Sequence, residues 1–275
     1  MSETKAIMRF EAEGRRFRAD VARPLSIAIP LDFAGAQPSC FGAPRAESRP
    51  LQAGGFPGDT RAGGSCNCAV LTLTPHCNGT HTECVGHVTD ERIAVSERVP
   101  GGLVLARLVS VAAVDASATA ETSEPAPRPG DRLITAAALA ESSARIGGPR
   151  ASALVVRTAD GSPHRAYSGP APAPFLTREA AAWLVDGGVD TLVLDLPSAD
   201  RADDGGHLTA HRIFFGLPPG SRRAADARRP HASITELAWI DAAIPDGLYL
   251  LDLQLPAFVS DAAPSRPLLF ALHPE

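Results

Sequence analysis

The chain has 275 residues, 44% hydrophobic and 21% charged, with 26 Lys+Arg against 31 Asp+Glu and a formal net charge of −5. That ordinary globular composition excludes a wholly disordered chain and a coiled coil, and the length holds one large α/β domain or two small ones. Asp226 interrupts the densest basic run, Arg222-Arg223 with Arg228-Arg229, so no nucleic-acid partner is expected; no apolar stretch reaches the ~18 residues of a membrane span, so no membrane partner is expected either.

The N-terminal MSETKAIMRFEAEGRRF lacks the apolar centre of a signal peptide, and the cysteines (Cys40, Cys66, Cys68, Cys77, Cys84) are odd in number. Together these predict a cytoplasmic protein with reduced thiols. Residues 6–23 alternate about Gly14 as a hairpin does. Residues 34–65 are Pro/Gly-rich and aperiodic, which predicts functional loops, and CAVLTLTPH then reads as a strand. From Gly101 the pattern turns to alternating strands and helices. LVLARLVSV is a strand; a linker at 115–130 follows; Thr135 caps a helix over AAALAESSARIG that Gly147-Gly148 ends. SALVVRT is a buried strand, Thr177 caps REAAAWLVDGG, and DTLVLDLP is a strand with Asp195 and Ser198 at its C-terminal edge. HRIFFGLP and ITELAWI follow as further elements, separated by a basic, Pro-rich insert at 218–232. GLYLLDLQLP and RPLLFALHP close the chain as strands. The alternation predicts one α/β domain over residues 1–275 around a central mixed sheet. Neither GxGxxG nor GxxxxGK[ST] is present, so no nucleotide cofactor is expected.

The chemistry concentrates in PHCNGTHTECVGHVTD, residues 75–90, which brings together His76, Cys77, His81, Glu83, Cys84 and His87 with small residues between them. A strand running into a tight turn can aim such N, O and S donors at one divalent cation with a position left for water. The bland alternative is a polar loop of hydrogen-bonded histidines. Elsewhere, His207 precedes His211 by one helical turn, but HLTAH lacks the Glu of HExxH. His164, His231 and His273 read as solvated, Cys66 and Cys68 are too close for a zinc arm, and Cys84 reads as buried filler. Asp195 and Asp200 flank a strand end, as site groups or as turn caps. Ser198 lacks a GxSxG context.

NGTHTECVGH resembles the HxGTHxDxPxH signature of the metal-dependent cyclase/kynurenine formamidase family. Gly79-Thr80-His81 falls on its GTH, Glu83 on its Asp and His87 on its final His. GVDTLVLDLPSAD resembles the family's Asp-x-Pro-Ser-x-Asp segment; His211 and Glu236 fall on a later His and Glu, and DAAPSRPLLFAL resembles a closing turn and strand. The likeness runs from about Asp20 to Leu272. Two departures stand out. The family's first His is Cys77 here, with His76 one place earlier, and its Pro is Val85. The ligand is therefore replaced by a thiolate, supplied by His76, or absent.

The resemblance implies a swivelling β/β/α fold and metal-assisted hydrolysis of a carbon–nitrogen bond in a small amide, formamide or cyclic amide. One or two ions, Zn²⁺ or Mn²⁺, would be held by His81, Glu83 and either Cys77 or His76. They would lower the pKa of bound water toward ~7. His87, His211 and Glu236 would hold a second metal or act as base and leaving-group acid. A homo-oligomer is also implied. The competing readings are a cyclase- or dehydratase-like enzyme of secondary metabolism and a non-catalytic small-molecule-binding relative. The metal reading requires His81, Glu83, His87, His211 and Glu236 to meet in one pocket, joined by the Cys77 sulfur or the His76 imidazole.

Overall fold

A computed structural model describes residues 5–99, 101–158, 161–162, 164–167 and 172–275. Three apolar runs, Leu103–Ser110, Ala153–Arg157 and Thr191–Leu194, are mutually parallel, with Val155 between Leu108 and Val193. Such runs are apolar on both sides because a parallel sheet is covered on both faces. Ser233–Glu236 continues the parallel set beyond Thr191–Leu194. His81–Glu83 then pairs antiparallel with Ser233–Glu236, and Ala262–Pro264 forms the edge. On the other flank Gly247–Gln254, Arg266–Ala271 and Leu25–Ser26 add antiparallel strands, completing a nine-stranded mixed sheet.

The helices cover one face. Ala136–Ile146 and Arg178–Asp186 begin where expected, the Thr135 and Thr177 hydroxyls accepting from the Ala138 and Ala180 N–H groups. HRIFFGLP supplies a third helix, Thr209–Phe215. Leu139, Leu184, Phe214 and Phe215 pack on Leu154, Val156, Leu192, Leu194 and Ile234. The alternate residues Ala153, Val155 and Val193 face the other side, with Leu108, Tyr249 and Leu251. The insert at 218–232 is tied down by Arg229, whose guanidinium lies 4.8 Å from the Phe214 ring centre and 2.9 Å from the Asp190 carboxylate.

The N-terminal hairpin joins Ile7–Ala12 to Arg15–Asp20 through Glu13 and Gly14, both at positive φ, as a two-residue turn between twisted strands requires. Residues 34–65 are less irregular than expected. They contain the ladder strand Glu47–Pro50 and the small hairpin Gln52–Ala53 with Phe56–Pro57. The strand in CAVLTLTPH, Ala69–Thr72, pairs with Glu47–Pro50 outside the main sheet. Among the described residues no helix is long and apolar enough to cross a membrane.

Candidate metal centre

The site grows out of strand register. In His81–Glu83 the side chains of His81 and Glu83 share one face, and Thr82 takes the other. Antiparallel pairing sets Glu236 opposite His81, while Thr82 meets Thr235 on the far side with hydroxyls 2.7 Å apart. His81 and Glu83 thus share the helix-covered face with Ile234 and Glu236. His211 enters from the Thr209–Phe215 helix, His76 and His87 from the turns before and after the His81 strand, and Asp261 from the chain just before Ala262–Pro264. Gly79 precedes the strand at φ 149°, and its carbonyl accepts from His81 Nδ1–H at 3.0 Å. A carbonyl only accepts, so Nδ1 carries the proton and Nε2 is left facing inward.

Each group has an orienting partner. The Asp200 carboxylate takes the N–H groups of Ala210 and His211 at the helix start, and also His211 Nδ1 at 2.6 Å. His211 Nε2 is thereby aimed at Glu83 Oε1, 2.8 Å away, and Glu236 Oε1, 3.4 Å away. Glu236 Oε1 accepts from the Ala199 N–H at 2.7 Å, while its Oε2 faces His81 Nε2 at 3.5 Å. Glu83 Oε2 faces His76 Nε2 at 3.6 Å and His87 Nδ1 at 3.8 Å, and Asp261 Oδ2 faces the same two atoms at 3.1 and 3.6 Å.

Charge is strongly organised. Burial opposes ionisation of Glu83, yet the charges of His87 and His211 outweigh it and hold its carboxyl low. Glu236 is likewise held low: burial opposes ionisation, and the neighbouring His211 and His81 imidazoles outweigh it. The His76 and His87 imidazoles, 3.1 and 3.6 Å from its Oδ2, keep Asp261 well below the usual carboxylate range. The histidines respond in the opposite sense. Burial alone would lower the pKa of His211, but Glu83, Asp200 and Glu236 raise it well above the ordinary value. His76 rises through Asp261 and Glu83 despite burial, and the Glu83 charge raises His87.

A divalent cation fits this donor set. The Nε2 atoms of His76, His81 and His211 and the Oε1 of Glu83 are buried without a directed hydrogen bond, although opposite charges lie close. Buried polar atoms are normally satisfied, and imidazoles and carboxylates converging without partners are the donors Zn²⁺ and Mn²⁺ take. His81, Glu83 and Glu236 form one group whose ligand atoms all lie within 4.8 Å of one another, and Glu83, His87 and His211 form a second.

Of the residues expected at the site, His76, His81, Glu83, His87, His211 and Glu236 are brought together. Cys77 is not. The Thr74–Asn78 turn, in which the Cys77 and Asn78 N–H groups both bond the Thr74 carbonyl, faces His76 toward Glu83. The Cys77 side chain instead packs with Ile29, Cys40, Tyr167 and Leu237. The Cys40 thiol donates to the Cys77 carbonyl at 3.3 Å. The Cys77 thiol is lowered to about 7, chiefly by its hydrogen bond with Cys40 and against burial.

The remaining candidates are structural. His207 lies before its helix, half exposed and 3.9 Å from Glu124. Asp195 holds Thr158 through its N–H and hydroxyl. Ser198 Oγ accepts from the Asp200 N–H. Cys84 is buried filler whose thiol burial pushes up to about 11. Asp200, expected as either a site group or a turn cap, does both: it caps the helix and orients His211. One member escaped the sequence reading. Asp261 had no signal beyond standing first in DAAPSRP.

With this geometry in hand the lineage is plain. The Cyclase family model matches residues 20–201, and the chain belongs to that family. No curated protein matches it. Among solved structures, the chain is similar to a predicted metal-dependent hydrolase from Bacillus stearothermophilus at 16% identity and TM-score 0.56, covering 90% of this chain and 98% of that one. It is also similar to isatin hydrolase A from Labrenzia aggregata at 16% identity and TM-score 0.61, covering 90% and 93%. Isatin hydrolase A from Ralstonia solanacearum matches at 16% identity and TM-score 0.56, covering 90% and 92%. Identities this low establish a shared fold.

Proposed function

We propose that the chain is a metal-dependent hydrolase that opens a carbon–nitrogen bond in a small amide, formamide or cyclic amide. The observation that carries this reading is the meeting of His81, Glu83, His211 and Glu236 in one buried spot, where the inward-facing atoms of His81, Glu83 and His211 lack directed hydrogen bonds. Those four residues would hold the ion. A bound Zn²⁺ or Mn²⁺ supplies Lewis-acid polarisation of a carbonyl and a lowered pKa for water.

The chain's own groups do the rest. Asp200 and the Gly79 carbonyl hold His211 and His81 in single orientations, so the donors need no rearrangement. His76, His87 and Asp261 form the solvent-facing rim, and Asp261 also lines a cavity of about 330 Å³ with Gly86, Thr89, Arg92, Ile93 and Val259. That volume suits a small substrate. His87 Nδ1 faces Glu83 and Asp261 from that rim, where it would hold a proton to give to the leaving nitrogen. A cytoplasmic setting and a homo-oligomer belong to the same reading, and the five free thiols suit a reducing compartment.

The test is a panel of aryl formamides and cyclic amides offered to chelator-stripped and Zn²⁺- or Mn²⁺-reloaded protein. Hydrolysis should vanish on stripping, return on reloading, and stay absent in Glu236→Gln. Full activity of stripped protein would sink the reading, and metal-loaded protein inert on the whole panel would favour a binding relative.

A further inference from the structure

The strand Ser233–Glu236 changes neighbours where it ends. As far as Glu236 it lies beside His81–Glu83, with Glu236 opposite His81. Two residues later the chain lies beside an earlier segment: Ala238 bridges Ala28, and the Trp239 N–H donates to the Ile27 carbonyl at 2.9 Å. The change is made at Leu237, which is fully buried and has φ 53°. A bulky side chain is strained in that left-handed region, and such strain persists only where the surroundings hold it. The Leu237 N–H donates to the Leu196 carbonyl at 2.8 Å, and its side chain packs with Ile29, Cys40, Cys77 and Tyr167. Its carbonyl accepts from the Thr80 hydroxyl at 2.5 Å, and the same hydroxyl accepts from the Ile29 N–H at 2.8 Å.

We propose that Thr80 is a positioning residue for the metal centre: its hydroxyl holds the left-handed turn at Leu237 and thereby the spacing of the His81 and Glu236 side chains. The inference rests on the proposed metal site. Thr80 immediately precedes His81 and Leu237 immediately follows Glu236, so one hydroxyl ties the backbone on either side of a facing pair of ligands. Both of its bonds are buried, and its single proton and its lone pairs are used at once. Without it the Ile29 N–H and the Leu237 carbonyl are left unpaired inside the protein, and the turn must shift to satisfy them. Glu236 feels that shift first, with its Oε2 3.5 Å from His81 Nε2 and its Oε1 3.4 Å from His211 Nε2. Thr82 supplies the contrast. Two residues on, equally enclosed, it meets the Thr235 hydroxyl at 2.7 Å on the face turned away from the ligands. Loss of its hydroxyl costs stability without reaching the centre.

The experiment measures Zn²⁺ affinity of the full-length chain by competition with a chromophoric chelator, beside urea unfolding of the metal-free protein. Thr80→Val keeps the shape and removes the hydroxyl; it should bind Zn²⁺ about 10–100-fold more weakly than wild type, and Thr80→Ser should restore the affinity. Thr82→Val should lose stability as Thr80→Val does, yet keep wild-type affinity. Equal affinity of Thr80→Val and wild type overturns the inference and leaves the proposed function intact, as does a Thr80→Ser that binds as weakly as Thr80→Val. Folded wild type that takes up no Zn²⁺ overturns the metal site itself. Should Thr80→Val fail to fold, hydrogen exchange on wild type decides. Zn²⁺ should slow exchange of the Ile29 amide, which no ligand touches, and leave the Val21 amide of the N-terminal hairpin unchanged. An Ile29 amide indifferent to Zn²⁺ overturns the inference.

Discussion

Cys77 and His76 show how much one residue decides. Adjacent in sequence, they serve different neighbourhoods, Cys77 the apolar pocket around Cys40 and His76 the carboxylates of Glu83 and Asp261. Cys77→Ala should therefore leave Zn²⁺ occupancy within about twofold of wild type. Co²⁺-loaded protein should lack the near-ultraviolet absorption of a cobalt–thiolate bond; a strong band there would return Cys77 to the ligand set. Asp200 is the second residue-scale case. It bonds His211 Nδ1 at 2.6 Å, and loss of such an orienting partner typically costs 10–100-fold in metal affinity. Asp200→Asn should weaken Zn²⁺ binding by about that factor in competition with a chromophoric chelator, and an unchanged affinity would deny Asp200 the role.

At the scale of elements, strand register does the assembling. A slip of one residue between His81–Glu83 and Ser233–Glu236 would turn His81 and Glu83 to the Thr82 face and away from His211. The Thr209–Phe215 helix is short, and Asp200 caps it from a different segment, so its position depends on the carboxylate that also orients its histidine. The caps of the longer helices serve stability alone. Thr135→Ala removes the acceptor for the Ala138 N–H and should cost about 1 kcal/mol in urea unfolding, with metal affinity unchanged. A simultaneous loss of metal binding would show that the Ala136–Ile146 helix is coupled to the centre.

For the whole molecule, the buried charge cluster sets a pH window. Glu83, Glu236 and Asp261 have pKa values lowered by folding, so their contribution is present above the ~4 of unfolded carboxylates and is lost as pH falls. His76, His87 and His211 have raised values, so their contribution is complete below the ~6.5 of unfolded histidine and is lost as pH rises through the folded values. Metal-free protein should be most stable between these limits and lose Tm on either side. A cation takes the places of those protons, so binding should release protons and tighten with rising pH. At a fixed free Zn²⁺ concentration the gain in Tm should be larger at pH 8 than at pH 6, and calorimetry in buffers of different ionisation enthalpy should register the released protons. A gain in Tm independent of pH, with no proton release, would mean that the ion binds away from these histidines.

Local pattern alone was enough for the β-hairpin about Gly14, the apolar strands Leu103–Ser110, Ala153–Arg157 and Thr191–Leu194, and the Thr135 and Thr177 caps. Each depends on neighbours within a few positions, through alternation, side-chain entropy or a single capping bond. The order of GTH, Glu83, His87, His211 and Glu236 was also legible, because spacing along one strand and likeness to a family are properties of the chain. Tertiary structure alone decided which of His76 and Cys77 turns inward, that Ala69–Thr72 pairs away from the main sheet, and that Asp200 and Asp261 complete the centre. Those outcomes rest on pairing between segments far apart in sequence. Asp261 meets His76 only because Ala262–Pro264 runs beside His81–Glu83, and no local propensity records which strand becomes another's neighbour.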